Sequence, residues 1–72
     1  MAANEIVTGV AGRVMACNVQ VGDAVAVGDE VLIIESMKLE IPIEAEQAGV
    51  VAQVKVAAGD DVEEGQCLVI LT

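Results

Sequence analysis

The chain lacks aromatic side chains and histidine altogether. No Phe, Tyr, Trp or His occurs among its 72 residues. The core must therefore be aliphatic, and 14 Val with 6 Ile favour strands over helices, because β-branched side chains suit a pleated surface. The absence of histidine excludes a Ser-His-Asp triad, a Cys-His pair and a His-ligated metal. We predict an all-β sandwich.

Basic residues are also scarce. The chain has 3 basic residues (Lys and Arg together) and 12 acidic residues (Asp and Glu together), which gives a formal net charge of −9. Phosphate contacts need clustered basic side chains, so this composition argues against a nucleic-acid partner. The acidity instead favours solubility and the exclusion of wrong partners.

Long hydrophobic runs are missing as well. An apolar run such as Val31–Ile34 falls far short of the ~20 residues that cross a bilayer. Asn4 and Glu5 interrupt the beginning, where a secretory signal needs a basic segment followed by an apolar one. We expect a soluble cytoplasmic protein with no membrane partner, one domain over residues 1–72, and a monomer.

Only two cysteines are present, Cys17 and Cys67, and a disulfide between them stays open at this point. In the internal repeat described next, Cys17 falls opposite Val54, an expected core position. We therefore favour a small buried hydrophobic residue in a reducing compartment.

The chain consists of two similar halves. Subtracting 37 from each number in the second half maps Gly49, Val51, Val56, Gly59, Asp60, Val62, Gly65 and Ile70 onto Gly12, Val14, Val19, Gly22, Asp23, Val25, Gly28 and Ile33. Stacked repeats need about three or more copies to bury their faces. Two copies therefore predict interlocked halves that close one core around an approximate two-fold axis.

Short apolar segments separated by glycine predict eight strands. They are expected near Glu5–Val7, Gly12–Val19, Asp23–Val25, Val31–Ser36, Leu39–Ile43, Gly49–Val56, Asp61–Val62 and Leu68–Leu71. Pro42 and Gly49 leave Glu44–Ala48 as a loop. The Gly-Asp pairs could suggest calcium loops, but they lack ligands at alternating positions and the terminal Glu. We interpret them as turns, in which Gly adopts positive φ and Asp bonds nearby backbone.

Lys38 lies between the halves, in a sharp reversal. Apolar strand residues end before Glu35 and resume at Leu39, so the turn is centred on Met37 and Lys38. Two-residue hairpin loops prefer Asn-Gly or similar pairs because both residues need positive φ. A pair that suits the turn poorly suggests that function overrides the local folding preference. On its position alone, Lys38 would be an ordinary exposed lysine; its apolar neighbours and the symmetry favour an amine that another enzyme modifies.

The sequence resembles the biotinyl/lipoyl carrier domain family, in particular the small biotin carboxyl carrier proteins and biotin attachment domains. The family motif, typically Ala-Met-Lys-Met, reads Ser36-Met37-Lys38-Leu39 here. The resemblance covers nearly the whole chain, including the Gly-Asp turns and the Glu before the motif. The chain departs from it at Thr8–Gly12, where Ser-Pro-Met-Pro-Gly is common, and at Ala45-Glu46, where Ala-Pro is common.

The resemblance implies a flattened barrel of two four-stranded antiparallel sheets. It implies that Lys38 carries covalent biotin, that Met37 and Leu39 are recognised by a biotin protein ligase, and that Glu35, Ser36 and Glu40 shape the hairpin. The attached biotin would carry a carboxyl group from a biotin carboxylase to a carboxyltransferase. The chain itself would be a non-catalytic carrier.

Two alternatives stay open. Lipoate attachment, alone or in addition to biotin, uses the same fold and hairpin, but lipoyl domains usually have an acidic residue before the lysine, where this chain has Met37. An unmodified interaction module with an acidic surface is the other alternative. Lys55, the only other lysine, is expected to face outward on a strand and to remain unmodified.

Overall fold

A computed structural model describes residues 4–72, which form eight strands. The strands are β1 (Glu5–Val7), β2 (Gly12–Cys17), β3 (Ala24–Val25), β4 (Glu30–Ser36), β5 (Leu39–Glu44), β6 (Gly49–Val54), β7 (Asp61–Val62) and β8 (Cys67–Leu71). All eight predicted strands are present. The predicted loop between the halves is also found, although β5 extends by one residue into it.

The strands form two four-stranded antiparallel sheets with the orders β1-β8-β6-β3 and β5-β4-β2-β7. The repeat in the sequence explains these orders. Adding 37 to the residues of β2 gives the range of β6, and subtracting 37 from those of β7 gives the range of β3. Adding 37 to β4 gives a range that contains β8, and subtracting 37 from β5 gives a range that contains β1. The predicted fold class is confirmed, and the strand order of one sheet corresponds to that of the other through the repeat.

The core lies between the two sheets and is aliphatic. Its buried residues alternate with exposed ones along most strands, as expected for sheets with one face in water. The apolar side chains buried in this core are Ile6, Val14, Val25, Val31, Leu32, Ile34, Ile43, Ala45, Val51, Val56, Val62, Leu68, Val69 and Leu71. Across residues 4–72, no helix combines the length and the hydrophobicity needed to span a membrane.

The Gly-Asp turns behave alike in both halves. The Asp23 carboxylate accepts a hydrogen bond of 2.9 Å from the Gln20 N–H, and Asp60 accepts one of the same length from the Ala57 N–H. The glycine before each Asp has φ of 97°. The prediction that these pairs form turns is confirmed, because each carboxylate is used to close a turn.

Two predicted strands end earlier than expected. β2 ends at Cys17 and β6 at Val54, two residues before the predicted bounds. Backbone pairing continues only through single hydrogen bonds, from the Asn18 N–H to the Val31 carbonyl and from the Lys55 N–H to the Leu68 carbonyl, both 2.8 Å long. Lys55 is exposed, but it follows β6 and does not lie on the face of that strand.

The prediction that Cys17 is buried needs correction. Cys17 is half-buried and packs against the edge of the core, as does its counterpart Val54. Its thiol donates a hydrogen bond of 3.4 Å to the Val19 carbonyl oxygen. Cys17 and Cys67 are both free thiols, so the disulfide left open by the sequence is not formed.

Candidate functional site

The candidate site is the hairpin formed by β4 and β5. These strands pair from Glu30 opposite Glu44 to Ser36 opposite Leu39, with one irregularity near Leu32. Because the pairing is continuous up to Ser36 and Leu39, only Met37 and Lys38 remain to reverse the chain. We call Ser36–Leu39 the β4–β5 turn. The predicted position of the reversal is confirmed.

Both central residues of the β4–β5 turn have left-handed backbone conformations. Met37 has φ of 52° and Lys38 has φ of 68°, and they are the only non-glycine residues with positive φ in residues 4–72. Positive φ at both central positions is the signature of a type I′ turn, whose twist matches that of the strands. Each such residue costs roughly 1–2 kcal/mol when it carries a side chain. The hairpin therefore holds Met37 and Lys38 in place despite their local preference.

The turn presents its side chains to solvent. Lys38 is exposed, Met37 is 92% exposed and Leu39 is 65% exposed. The Lys38 ammonium makes no ion pair or hydrogen bond within the part of the chain that the structure describes. The site therefore offers an unpaired primary amine between two exposed apolar side chains.

Carboxylates lie directly below the turn. Glu35 on β4 and Glu40 on β5 occupy opposite positions and are both exposed. Arg13 on β2 is the neighbour of Glu35 in the sheet, but its Nε atom contacts Asp61 Oδ1 at 3.3 Å. Like charges directly opposite each other destabilise a sheet. Glu35 and Glu40 therefore place negative charge at the base of the hairpin and do not strengthen the pairing of β4 with β5. Their role in shaping the hairpin stays a prediction.

Gly12 allows β2 to approach the hairpin closely. A Cβ atom at Gly12 would overlap the backbone carbonyl oxygen of Glu35. At the equivalent Gly49, a Cβ would lie 2.9 Å from the carbonyl oxygen of Thr72. The close approach of Gly12 to Glu35 and the ion pair between Arg13 and Asp61 were not predicted from the sequence. The role of Gly12 could have been found from the repeat, because Gly12 and Gly49 occupy equivalent positions in the two halves.

Lys55 is also exposed, but its surroundings differ from those of Lys38. It does not have positive φ, and its N–H donates to the Leu68 carbonyl oxygen. Its neighbours Val54 and Val56 are half-buried and buried, so no exposed apolar pair flanks it. Of the two lysines, Lys38 alone combines a turn position with exposed apolar neighbours.

Comparison with known proteins identifies the family. The Biotin_lipoyl family model, described as "Biotin-requiring enzyme", matches residues 1–71. The biotin/lipoyl attachment protein of Bacillus subtilis (strain 168) is 47% identical over 62 residues, which cover 86% of this chain and 85% of that protein. The biotinylated protein TB7.3 homolog of Mycobacterium leprae (strain TN) is 33% identical over 70 residues, covering 97% of this chain and 99% of the relative. The chain belongs to the biotin/lipoyl attachment family, whose covalently attached group is biotin or lipoate.

Larger proteins contain a similar segment. The mitochondrial propionyl-CoA carboxylase alpha chain of Homo sapiens is 47% identical over 60 residues, which cover 83% of this chain but only 8% of the human one. The crystal structure of Kluyveromyces lactis urea carboxylase matches with a TM-score of 0.88 and 34% identity, covering 94% of this chain and 6% of the enzyme. The chain thus corresponds to a small part of each of these carboxylases.

Proposed function

We propose that this chain is a biotin carboxyl carrier and that Lys38 is its attachment site. The observation that carries the proposal is the β4–β5 turn, in which an exposed and unpaired lysine lies between exposed Met37 and Leu39. The relatives with carboxylase names support biotin as the attached group. Met37, in the place where lipoyl domains usually have an acidic residue, supports biotin as well.

The residues of the turn would act in recognition and attachment. A biotin protein ligase would bury Met37 and Leu39, because exposed apolar side chains on a rigid turn gain most from leaving water. A lysine nitrogen attacks only in its neutral form, so the ligase must remove a proton from the Lys38 ammonium before the amide bond forms. The amide removes the positive charge. The ligase would recognise the turn and perform the chemistry, so this chain would be a substrate of the ligase and not a catalyst.

A rigid hairpin suits a carrier. The type I′ turn fixes the backbone at Lys38, while the lysine side chain is exposed and makes no ion pair in residues 4–72. Tethering through a short flexible link raises the local concentration of the attached group to roughly the millimolar range at each partner. When bound, biotin supplies the ring that accepts and releases a carboxyl group. The partners would be a biotin carboxylase and a carboxyltransferase.

An intact-mass spectrum tests the attached group. The chain would be purified from cells that contain both a biotin protein ligase and a lipoate-attaching enzyme. We expect the added mass of one biotinyl amide. The mass of a lipoyl group would favour the lipoyl alternative, and an unmodified chain would favour the interaction module.

A second assay tests the carrier role. The biotinylated chain, labelled bicarbonate, MgATP and a biotin carboxylase should together give a protein-bound label that acid releases. A chain made without biotin is the control and should remain unlabelled. Equal labelling of both forms would contradict a carrier role.

A further inference from the structure

Met37 carries the more exposed of the two thioethers in residues 4–72. Met37 is 92% exposed, whereas Met15 on β2 is 42% exposed. A dissolved oxidant must reach the sulfur atom before it can react. Met37 is therefore the more accessible of these thioethers to a soluble oxidant.

The two thiols are less favourable targets. Cys17 and Cys67 are half-buried, and each donates a hydrogen bond to the carbonyl oxygen two residues later, at 3.4 Å and 3.7 Å. Burial raises the pKa of the Cys67 thiol, and Glu5 raises it further. The thiolate is the reactive form of cysteine, so the raised pKa slows the oxidation of Cys67. Met37 is therefore more exposed to a dissolved oxidant than either thiol.

We infer that Met37 is a redox-sensitive modification site, at which oxidation of the thioether to the sulfoxide by hydrogen peroxide prevents a biotin protein ligase from modifying Lys38. This inference rests on the proposed function, because it assumes that the ligase contacts the β4–β5 turn. Met37 and Lys38 are adjacent and both have a fixed left-handed backbone. A ligase that reaches the Lys38 amine therefore also contacts the Met37 side chain.

The reaction is a two-electron oxygen transfer. A sulfur lone pair of Met37 attacks one oxygen of the peroxide, an S–O bond forms and the O–O bond breaks. The sulfur is oxidised, and the second oxygen leaves as water after taking up the remaining proton. One peroxide is consumed for each sulfoxide, and no cofactor is needed. Methionine sulfoxide reductases reverse the change, with one enzyme for each sulfoxide epimer.

The oxidation changes the chemistry of the turn without changing its charge. The sulfoxide is polar and chiral, whereas the thioether is apolar. Burying the new oxygen in a partner site shaped for an apolar group leaves it without hydrogen bonds, which is unfavourable. We expect a decrease of about tenfold or more in the rate of biotin attachment. The hairpin is expected to remain folded, because Met37 lies outside the core.

The test uses the full unmodified chain. The protein is treated with hydrogen peroxide, the peroxide is removed with catalase, and peptide mapping locates each added oxygen atom. Initial rates of biotin attachment by a biotin protein ligase are then measured before oxidation, after oxidation and after repair by both types of methionine sulfoxide reductase. We expect oxygen to be added to Met37 before Met15, the rate to fall, and repair to restore it.

Two variants serve as controls. M37L removes the proposed site, so peroxide should leave its rate unchanged, whereas M15L should remain as sensitive as the native chain. If M37L is itself a poor substrate, the native chain before oxidation, after oxidation and after repair decides the question. Oxidation of Met15 before Met37, or an unchanged rate for the Met37 sulfoxide, would overturn the inference and leave the proposed function intact. A native chain that takes up no biotin before oxidation would instead overturn the proposed function.

Discussion

At the residue level, the two lysines differ in backbone conformation. Lys38 and Lys55 are both exposed, but only Lys38 has positive φ. Exposure alone would make both residues acceptors, so under the proposed function the specificity for Lys38 would come from the turn and its apolar neighbours. This contrast makes Lys55 an internal control for each experiment on Lys38.

The same backbone contrast predicts opposite effects on stability. K38G should raise the free energy of unfolding by about 1 kcal/mol, because glycine adopts positive φ without steric cost. K55G should lower it by about 0.5–1 kcal/mol, because glycine gains more freedom in the unfolded chain and Lys55 has no strain to relieve. Urea denaturation measures both values. A decrease for K38G equal to that for K55G would show that the turn does not disfavour lysine.

The fold should also change the reactivity of the Cys67 thiol. Burial raises the pKa of its thiol, and Glu5 contributes in the same direction. A raised pKa keeps the neutral thiol to higher pH, and only the thiolate reacts with iodoacetamide. The pH at which alkylation of Cys67 is half-maximal should therefore be higher in the folded chain than in the urea-unfolded chain. Peptide mapping after timed alkylation measures both, and a lower midpoint in the folded chain would contradict the prediction.

At the level of the elements, the sequence predicted the existence of every strand but not the end of each. The repeat identified both halves, and the glycine turns divided the strands. β2 and β6 end early because the chain leaves its sheet after Cys17 and Val54. Only one more backbone hydrogen bond follows in each half, donated by Asn18 and by Lys55. Local apolar alternation continues beyond those points, so periodicity could not locate the ends.

The hairpin was the most predictable element of the candidate site. Few residues separate the apolar segments of β4 and β5, so the chain must reverse over two residues. Met37 and Lys38 stood out because both adopt positive φ, which residues with side chains disfavour. The close approach of Gly12 to Glu35 and the Arg13–Asp61 contact join distant parts of the chain. Such contacts depend on the register between strands, which a single sequence does not specify.

At the level of the whole molecule, negative charge is the main electrostatic feature. The formal net charge is −9, and the Cα extents are only 31 × 22 × 19 Å. Glu35 faces Glu40 and Glu30 faces Glu44 across β4 and β5. The single ion pair in residues 4–72, Arg13–Asp61, is exposed and therefore contributes little. Repulsion among carboxylates should thus oppose folding.

Salt should therefore stabilise the chain. Raising NaCl from about 10 mM to about 150 mM shortens the screening length from about 30 Å to about 8 Å, so repulsion across the molecule is screened at the higher concentration. We expect the midpoint of thermal unfolding to rise. Circular dichroism at both concentrations measures the shift. A fall in the midpoint would show that attractive ion pairs outweigh the repulsion.

The most direct test of the account is attachment at Lys38. The native chain, K38R and K55R would each be produced with a biotin protein ligase and analysed by intact mass and peptide mapping. K38R keeps the positive charge, and thermal unfolding would verify that it is folded. We predict one biotin on the native chain and on K55R, in both cases at Lys38, and none on K38R. Biotin on folded K38R, or loss of biotin from K55R alone, would contradict it.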